Sequence, residues 1–270
     1  MNKAIALDMD NTLLNSKKEI SRRNKSVLKK LHNSGIKIIL CSGRPYNSLR
    51  PYLENLDLFQ PNDICICFNG GLVESSDAKQ KIDSHTISKD DLIPVIKLAE
   101  SEHFTLDLVA ENKVYSLAEF GKSHYEDYMG KFMPFENTTF DKIPIDVVFF
   151  KAMVIGSVSE NTKLRTQIEK LNLFHTTRSH PTFLEILPLK VNKAVGLKTA
   201  LNYLNIDRKD LIAFGDEAND QEMIEFAGTG VAMGNAVPEL KEIADEITVS
   251  NDLDGVAVFL EKVFPQILNN

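Results

Sequence analysis

Ala4-Ile5-Ala6-Leu7-Asp8-Met9-Asp10-Asn11-Thr12-Leu13-Leu14 is the stretch on which the fold turns. Four uninterrupted apolar residues read as a strand buried on both faces, the pattern of a parallel sheet covered by helices rather than of a half-wet hairpin. Two carboxylates follow, two positions apart, just past the strand's carboxyl end, where open parallel sheets gather ligands. Alternate residues of an extended segment point the same way, so Asp8 and Asp10 can face one site. Like charges so close are unfavourable unless a cation or a shared proton compensates them, so the pair reads as a metal site or an acid/base couple. Two solvated acids in a turn capped by Thr12 are the plainer alternative.

Outward from that stretch, the first 82 residues keep the same grammar. A helix opens near Ser21 with Val27, Leu28 and Leu31 on one face, and Gly35 precedes the apolar run 36–40. Pro45 favours the first turn of a second helix, and a buried-type strand over 64–68 ends at Asn69-Gly70-Gly71. Between 83 and 186 the pattern changes. Phe104, Leu106 and Leu108 alternate with Thr105 and Asp107, and after Ala110-Glu111-Asn112 a hairpin partner continues through Val114, Tyr115 and Leu117. Alternation predicts one wet face, and helical stretches from Ser88 and near Asn161 complete an α+β unit on an antiparallel sheet.

Past Leu187 the parallel pattern returns, with a helix over 192–203, a strand over 211–214, a helix through Met223 and Ile224, a strand over 230–233 and a closing helix over 256–263. Neither junction carries a Pro/Ser/Gly-rich linker. The expectation is an α/β protein: a Rossmann-like doubly wound parallel-sheet core from residues 1–82 and 187–270, with an inserted α+β domain over 83–186.

The 270 residues are 43% hydrophobic and 26% charged, ordinary for a globular chain. Thirty-one Lys and Arg against 38 Asp and Glu give a net charge of −7, and no basic tract interleaves with aromatics, which argues against nucleic acid as a partner. No apolar run approaches the roughly 18–20 residues that cross a bilayer. No membrane segment is expected, and a start without a signal-like apolar core predicts a cytoplasmic protein. Cys41, Cys65 and Cys67 lie in strand-like stretches and read as buried thiols, the spacing of the last two being wrong for a zinc knuckle.

Three other places join the opening stretch. Ser42-Gly43-Arg44 follows the second strand with a hydroxyl, a flexible N–H donor and a cation ahead of a helix, a natural phosphate cradle. Gly215-Asp216 ends the strand over 211–214, with Asn219-Asp220 one turn on. Lys193 sits in the first turn of a helix, where a cation opposes the dipole, so an anion held nearby is expected. Each has a bland reading as a cap or a solvated side chain, but all converge on one sheet edge.

Asp8-x-Asp10-x-Thr12, Ser42, Lys193 and Gly215-Asp216-x-x-Asn219-Asp220, in that order, resemble the four motifs of the haloacid dehalogenase superfamily of phosphohydrolases. Asn69-Gly70-Gly71, the run from Val231 to Ala236 and Asp254-Gly255-Val256 are similar to its Cof-type branch, which carries a large α/β cap. The likeness spans nearly the whole chain and is weakest in the cap. Asn11 stands where the family usually has Gly, and Ala194 follows the lysine where Gly is common; Asn tolerates left-handed backbone better than most residues.

The resemblance implies Asp8 as nucleophile and Asp10 as acid, then base. It implies Mg²⁺ held by Asp8, the Asp10 backbone carbonyl and Asp216, and phosphoryl oxygens held by the Met9 N–H, Ser42, Gly43, Lys193 and Asn219, with Asp220, Thr12 and Arg44 behind them. The implied activity is Mg²⁺-dependent hydrolysis of small phosphorylated metabolites, such as sugar phosphates, flavin mononucleotide or pyridoxal phosphate, through an aspartyl-phosphate. A phosphomutase and a catalytically weak phosphometabolite-binding regulator are the alternatives. The cap would select the ester, and a monomer or weak homo-oligomer is expected. Setting Asp8, Asp10, Asp216 and Asp220 against Mg²⁺ and Lys193, neutrality calls for a protonated Asp10 before attack.

Overall fold

Strand Ala4–Leu7 lies inside an eight-stranded sheet. All four of its residues are fully buried, and because consecutive side chains point to opposite faces, both faces of the sheet are covered. The computed structural model describes residues 4–268. Across the sheet the order is Glu246–Ile247, Thr229–Ala232, Leu211–Gly215, Ala4–Leu7, Lys37–Cys41, Ile64–Cys67, Leu72–Ser75 and Lys81–Ser84. The first six are mutually parallel, and Leu72–Ser75 turns back antiparallel to Ile64–Cys67. Parallel strands bring their carboxyl ends to one edge, so Asp8, Ser42, Phe68 and Asp216 each leave the sheet on the same side.

Local chemistry sets the helix starts. The Ser21 hydroxyl accepts the Asn24 N–H at 3.1 Å and caps helix Arg22–Asn33. Asn192 caps helix Lys193–Leu204 through the Val195 N–H at 3.0 Å, which makes Lys193 its first residue. Pro45 takes the capping position, one residue ahead of helix Tyr46–Leu56.

The chain divides into two compact units, one made of the segments ending at Asp83 and beginning at Asn192, the other Ser84–Val191. The second junction falls later than the 186/187 expected, because strand Phe183–Pro188 belongs to the second unit's sheet. That sheet runs Phe174–Thr177, Phe183–Pro188, Lys151–Ile155, Asp107–Val109, Val114–Leu117, Phe135–Thr138, antiparallel except for its last pair.

Ser88 ends the short ribbon Ile87–Ser88, paired with Val148–Phe149, and caps the helical run that follows: its hydroxyl accepts the Asp91 N–H at 3.2 Å, and the turn Asp90–Leu92 leads directly into helix Ile93–Glu102. One reading of this unit is corrected. The face carrying Asp107 is not wet. Asp107 is fully buried, accepting hydrogen bonds from the Ser116 and Ser123 hydroxyls. Period-two alternation marks polar side chains but cannot tell solvent from a polar cover supplied by a distant segment.

Candidate active site

Four strand ends and one helix start build the site. Lys193, fully buried at the start of its helix, donates to Asp8 and, at 2.6 Å, to Asp220. The expected anion at that helix start is thus a pair of carboxylates from the protein itself. Burial works against the Lys193 charge, but Asp220 and Asp8 outweigh it and hold the ammonium above the ordinary lysine range. Asp220 also shapes the loop, its other oxygen accepting the backbone N–H groups of Asp216 at 2.8 Å and Glu217 at 3.1 Å. The loop approaches so closely that a Cβ on Gly215 would lie 2.5 Å from that of Asp220, which explains the glycine. Thr12 donates its hydroxyl to Asp216 at 2.7 Å.

One carboxylate oxygen each from Asp8, Asp216 and Asp220 lies within 4.8 Å of the others. Burial, offset in part by Lys193 and reinforced by Asp220, pushes Asp8 up to about 7. Burial and the charges of Asp8 and Asp220 push Asp216 up to about 9. Three buried acids against one ammonium leave the pocket short of positive charge, and an all-oxygen donor set suits a hard divalent cation. The residues fit such an ion.

The Asp10 carboxylate stands apart from this cluster. Arg44 donates to both its oxygens, at 2.7 Å each, and Lys18 adds a hydrogen bond at 2.8 Å. Burial alone would raise its pKa, but Arg44 and then Lys18 overcome that and hold it at about 2. Arg44, placed by the sequence behind the catalytic pair, supports the Asp10 carboxylate directly and with Lys18 favours its ionised form; the charge count above included neither cation.

The remaining site residues meet around Asn69, which sequence reasoning quoted without assigning a role. Asn69 Oδ1 accepts from Asn219 Nδ2 at 3.0 Å, its N–H donates to the Ser42 carbonyl at 2.9 Å, and a Cβ on Gly43 would lie 3.0 Å from its side chain. Ser42 is buried, its hydroxyl accepting the Arg44 N–H at 3.3 Å. Met9 buries its side chain while its carbonyl accepts the Leu14 N–H at 2.9 Å. Phe68 and Asn69 take consecutive left-handed conformations, φ 52° and 55°, followed by Gly70 at 96°. The Asn-Gly-Gly run at the end of a buried strand was a usable signal for this turn. For Lys18 no fixed spacing existed, since it reaches Asp10 only when the segment after Leu14 folds back.

Comparison with known proteins agrees with this assembly. The family model described as haloacid dehalogenase-like hydrolase matches residues 5–260. The Bacillus subtilis (strain 168) protein YxeH is 33% identical over 263 residues, 95% of this chain and 96% of that one. From the same organism, 5-amino-6-(5-phospho-D-ribitylamino)uracil phosphatase YitU is 31% identical over 270 residues, 96% of this chain and 97% of its own. Among solved structures, a haloacid dehalogenase-like hydrolase from Bacteroides thetaiotaomicron superposes with a TM-score of 0.83 at 31% identity, covering 98% of this chain and all of that one. Matched nearly end to end in both sequence and structure, the chain belongs to the haloacid dehalogenase-like hydrolases and is a hydrolase acting on phosphate esters.

Proposed function

We propose that the protein is a Mg²⁺-dependent phosphatase of small phosphorylated metabolites that works through an aspartyl-phosphate on Asp8. The observation that carries this reading is the buried ammonium of Lys193 between Asp8 and Asp220, with Asp216 beside them. Asp8, Asp216 and the Asp10 backbone carbonyl would hold the cation, which when bound neutralises the acids and polarises a phosphoryl oxygen. The Asp8 carboxylate attacks phosphorus as the bond to the ester oxygen breaks, and Asp10, protonated for this step, gives that departing oxygen its proton. Lys193, Ser42, Asn219 and the backbone N–H groups of Met9 and Gly43 bind the phosphoryl oxygens as their charge redistributes. Asp10, left as the carboxylate that Arg44 and Lys18 favour, then takes a proton back from the water that opens the acyl-phosphate.

Unit Ser84–Val191 is the expected selector of the ester. That YitU bears the name of a ribitylaminouracil phosphatase supports a phosphorylated metabolite of comparable size as the substrate class. The test is phosphate release over a panel of sugar phosphates, flavin mononucleotide, pyridoxal phosphate and p-nitrophenyl phosphate, with Mg²⁺ and after chelation. Wild type should turn over at least one ester only with the cation, and Asp8→Asn should retain its fold but lose release by about 10³-fold or more. Full turnover by Asp8→Asn would remove Asp8 as nucleophile.

A further inference from the structure

The two halves of the site carry opposite imbalances. Asp8, Asp216 and Asp220 share one ammonium. Asp10 alone faces two cations, Arg44 through two hydrogen bonds of 2.7 Å and Lys18 through one of 2.8 Å. A bidentate guanidinium already fixes a carboxylate's plane and direction. Arg44 is itself anchored, donating to the Ser48 hydroxyl at 3.0 Å. Lys18 therefore adds charge rather than orientation.

Exposure separates the two cations. The Arg44 side chain is 16% exposed and the Lys18 side chain 52%, so the ammonium stands on the open side of Asp10 and is free to turn toward an arriving group. The loop that presents it is well tied. Asn15 Oδ1 accepts the N–H groups of Lys17 and Glu19, each at 3.0 Å, and Tyr52 donates its hydroxyl to the Lys18 carbonyl at 3.2 Å. Lys18 itself adopts a left-handed φ of 61°, a conformation that is unfavourable for a residue other than glycine. Such a tether, held against a backbone cost, aims one long cation at one carboxylate.

In the reading above, Asp10 faces the side from which the ester oxygen departs and water enters. The surplus charge at Lys18 therefore meets the leaving group. An uncharged leaving group offers it nothing, whereas a second anion replaces lost hydration with a charge-assisted hydrogen bond. We propose that Lys18 is a specificity residue and that the preferred substrates are phosphate monoesters whose leaving group carries a second anionic group, a phosphate or a carboxylate. This rests on the phosphatase reading and narrows its substrate class.

The test compares matched esters on the full-length protein with Mg²⁺: glucose 6-phosphate against glucose 1,6-bisphosphate, and glycerol 3-phosphate against 3-phosphoglycerate, with p-nitrophenyl phosphate as a generic ester. Wild type should favour the doubly anionic member of at least one pair by about tenfold in kcat/KM, the worth of a charge-assisted hydrogen bond. The bisphosphate and carboxylate arms tell which anion is read. Lys18→Met should erase that preference, mainly through KM, and Lys18→Arg should keep it. No preference in either pair, or an equal loss on both members in Lys18→Met, overturns the proposal while p-nitrophenyl phosphate turnover keeps the phosphatase reading standing. No turnover of any ester sinks both.

Discussion

Lys193 is the residue whose loss should reach furthest. Lys193→Met would leave Asp8 and Asp220 buried beside each other without their counter-ion. Breaking a buried pair from one side costs about 3–5 kcal/mol, to be read from urea unfolding of the metal-free protein. Adding Asp220→Asn should return part of that stability but none of the phosphate release, separating the structural from the catalytic share. Asp107 gives a pH signature of its own. Burial pushes its carboxyl above the ordinary range, although the Ser116 and Ser123 hydroxyls oppose this. Its folded pKa being the higher, its contribution to stability is complete below the ordinary carboxylate value and is lost as pH rises through the raised one. Urea midpoints should therefore favour wild type over Asp107→Asn more at acid pH than at neutral pH; a difference independent of pH would contradict this. Asp8, Asp216 and Lys193 were legible because each follows or begins an element with a clear pattern. Lys18 and the role of Asn69 were not, since their partners lie across loop closures that no spacing encodes.

At the scale of elements, the start of helix Lys193–Leu204 is where backbone packing meets chemistry. A Cβ on Gly70 would lie 2.2 Å from the Asn192 carbonyl oxygen, and Gly70 has φ of 96°. Gly70→Ala should thus cost more than conformational strain and should displace Lys193, lowering phosphate release. Gly35 is the control: it has φ of 94° with nothing within 4 Å of its Cβ position, so Gly35→Ala should cost only about 1–2 kcal/mol and spare activity. Equal effects of both on release would show that the Gly70 contact does not position the lysine. Helix and strand identities in the parallel unit were readable from buried four-residue runs and capping residues. The second unit was harder, because Asp107 alternates with apolar residues as a wet face would and only the fold supplies the Ser116 and Ser123 hydroxyls that cover it.

At the scale of the molecule, the first unit is assembled from two segments, one ending at Asp83 and the other beginning at Asn192, while the second is continuous in sequence. Joining those segments with a short Gly/Ser linker should give a folded protein that still hydrolyses p-nitrophenyl phosphate with Mg²⁺ but discriminates poorly among metabolite esters. Loss of cooperative unfolding in that variant would show that the insertion is needed for the fold. Mg²⁺ should raise the melting temperature of the whole protein, since at a hundred times its dissociation constant a ligand stabilises by about 2.7 kcal/mol, and Asp216→Asn should blunt the shift. Among the described residues no helix is long and apolar enough to cross a membrane. The sequence by itself determined the parallel core, the inserted unit and the acids that follow the strands, because burial on both faces, strand-end position and helix caps are written in neighbouring residues. Only the tertiary structure decided the company of Asp10, the burial of Asp107 and the reach of Lys18, because a charge takes its surroundings from groups brought near by folding rather than by the chain.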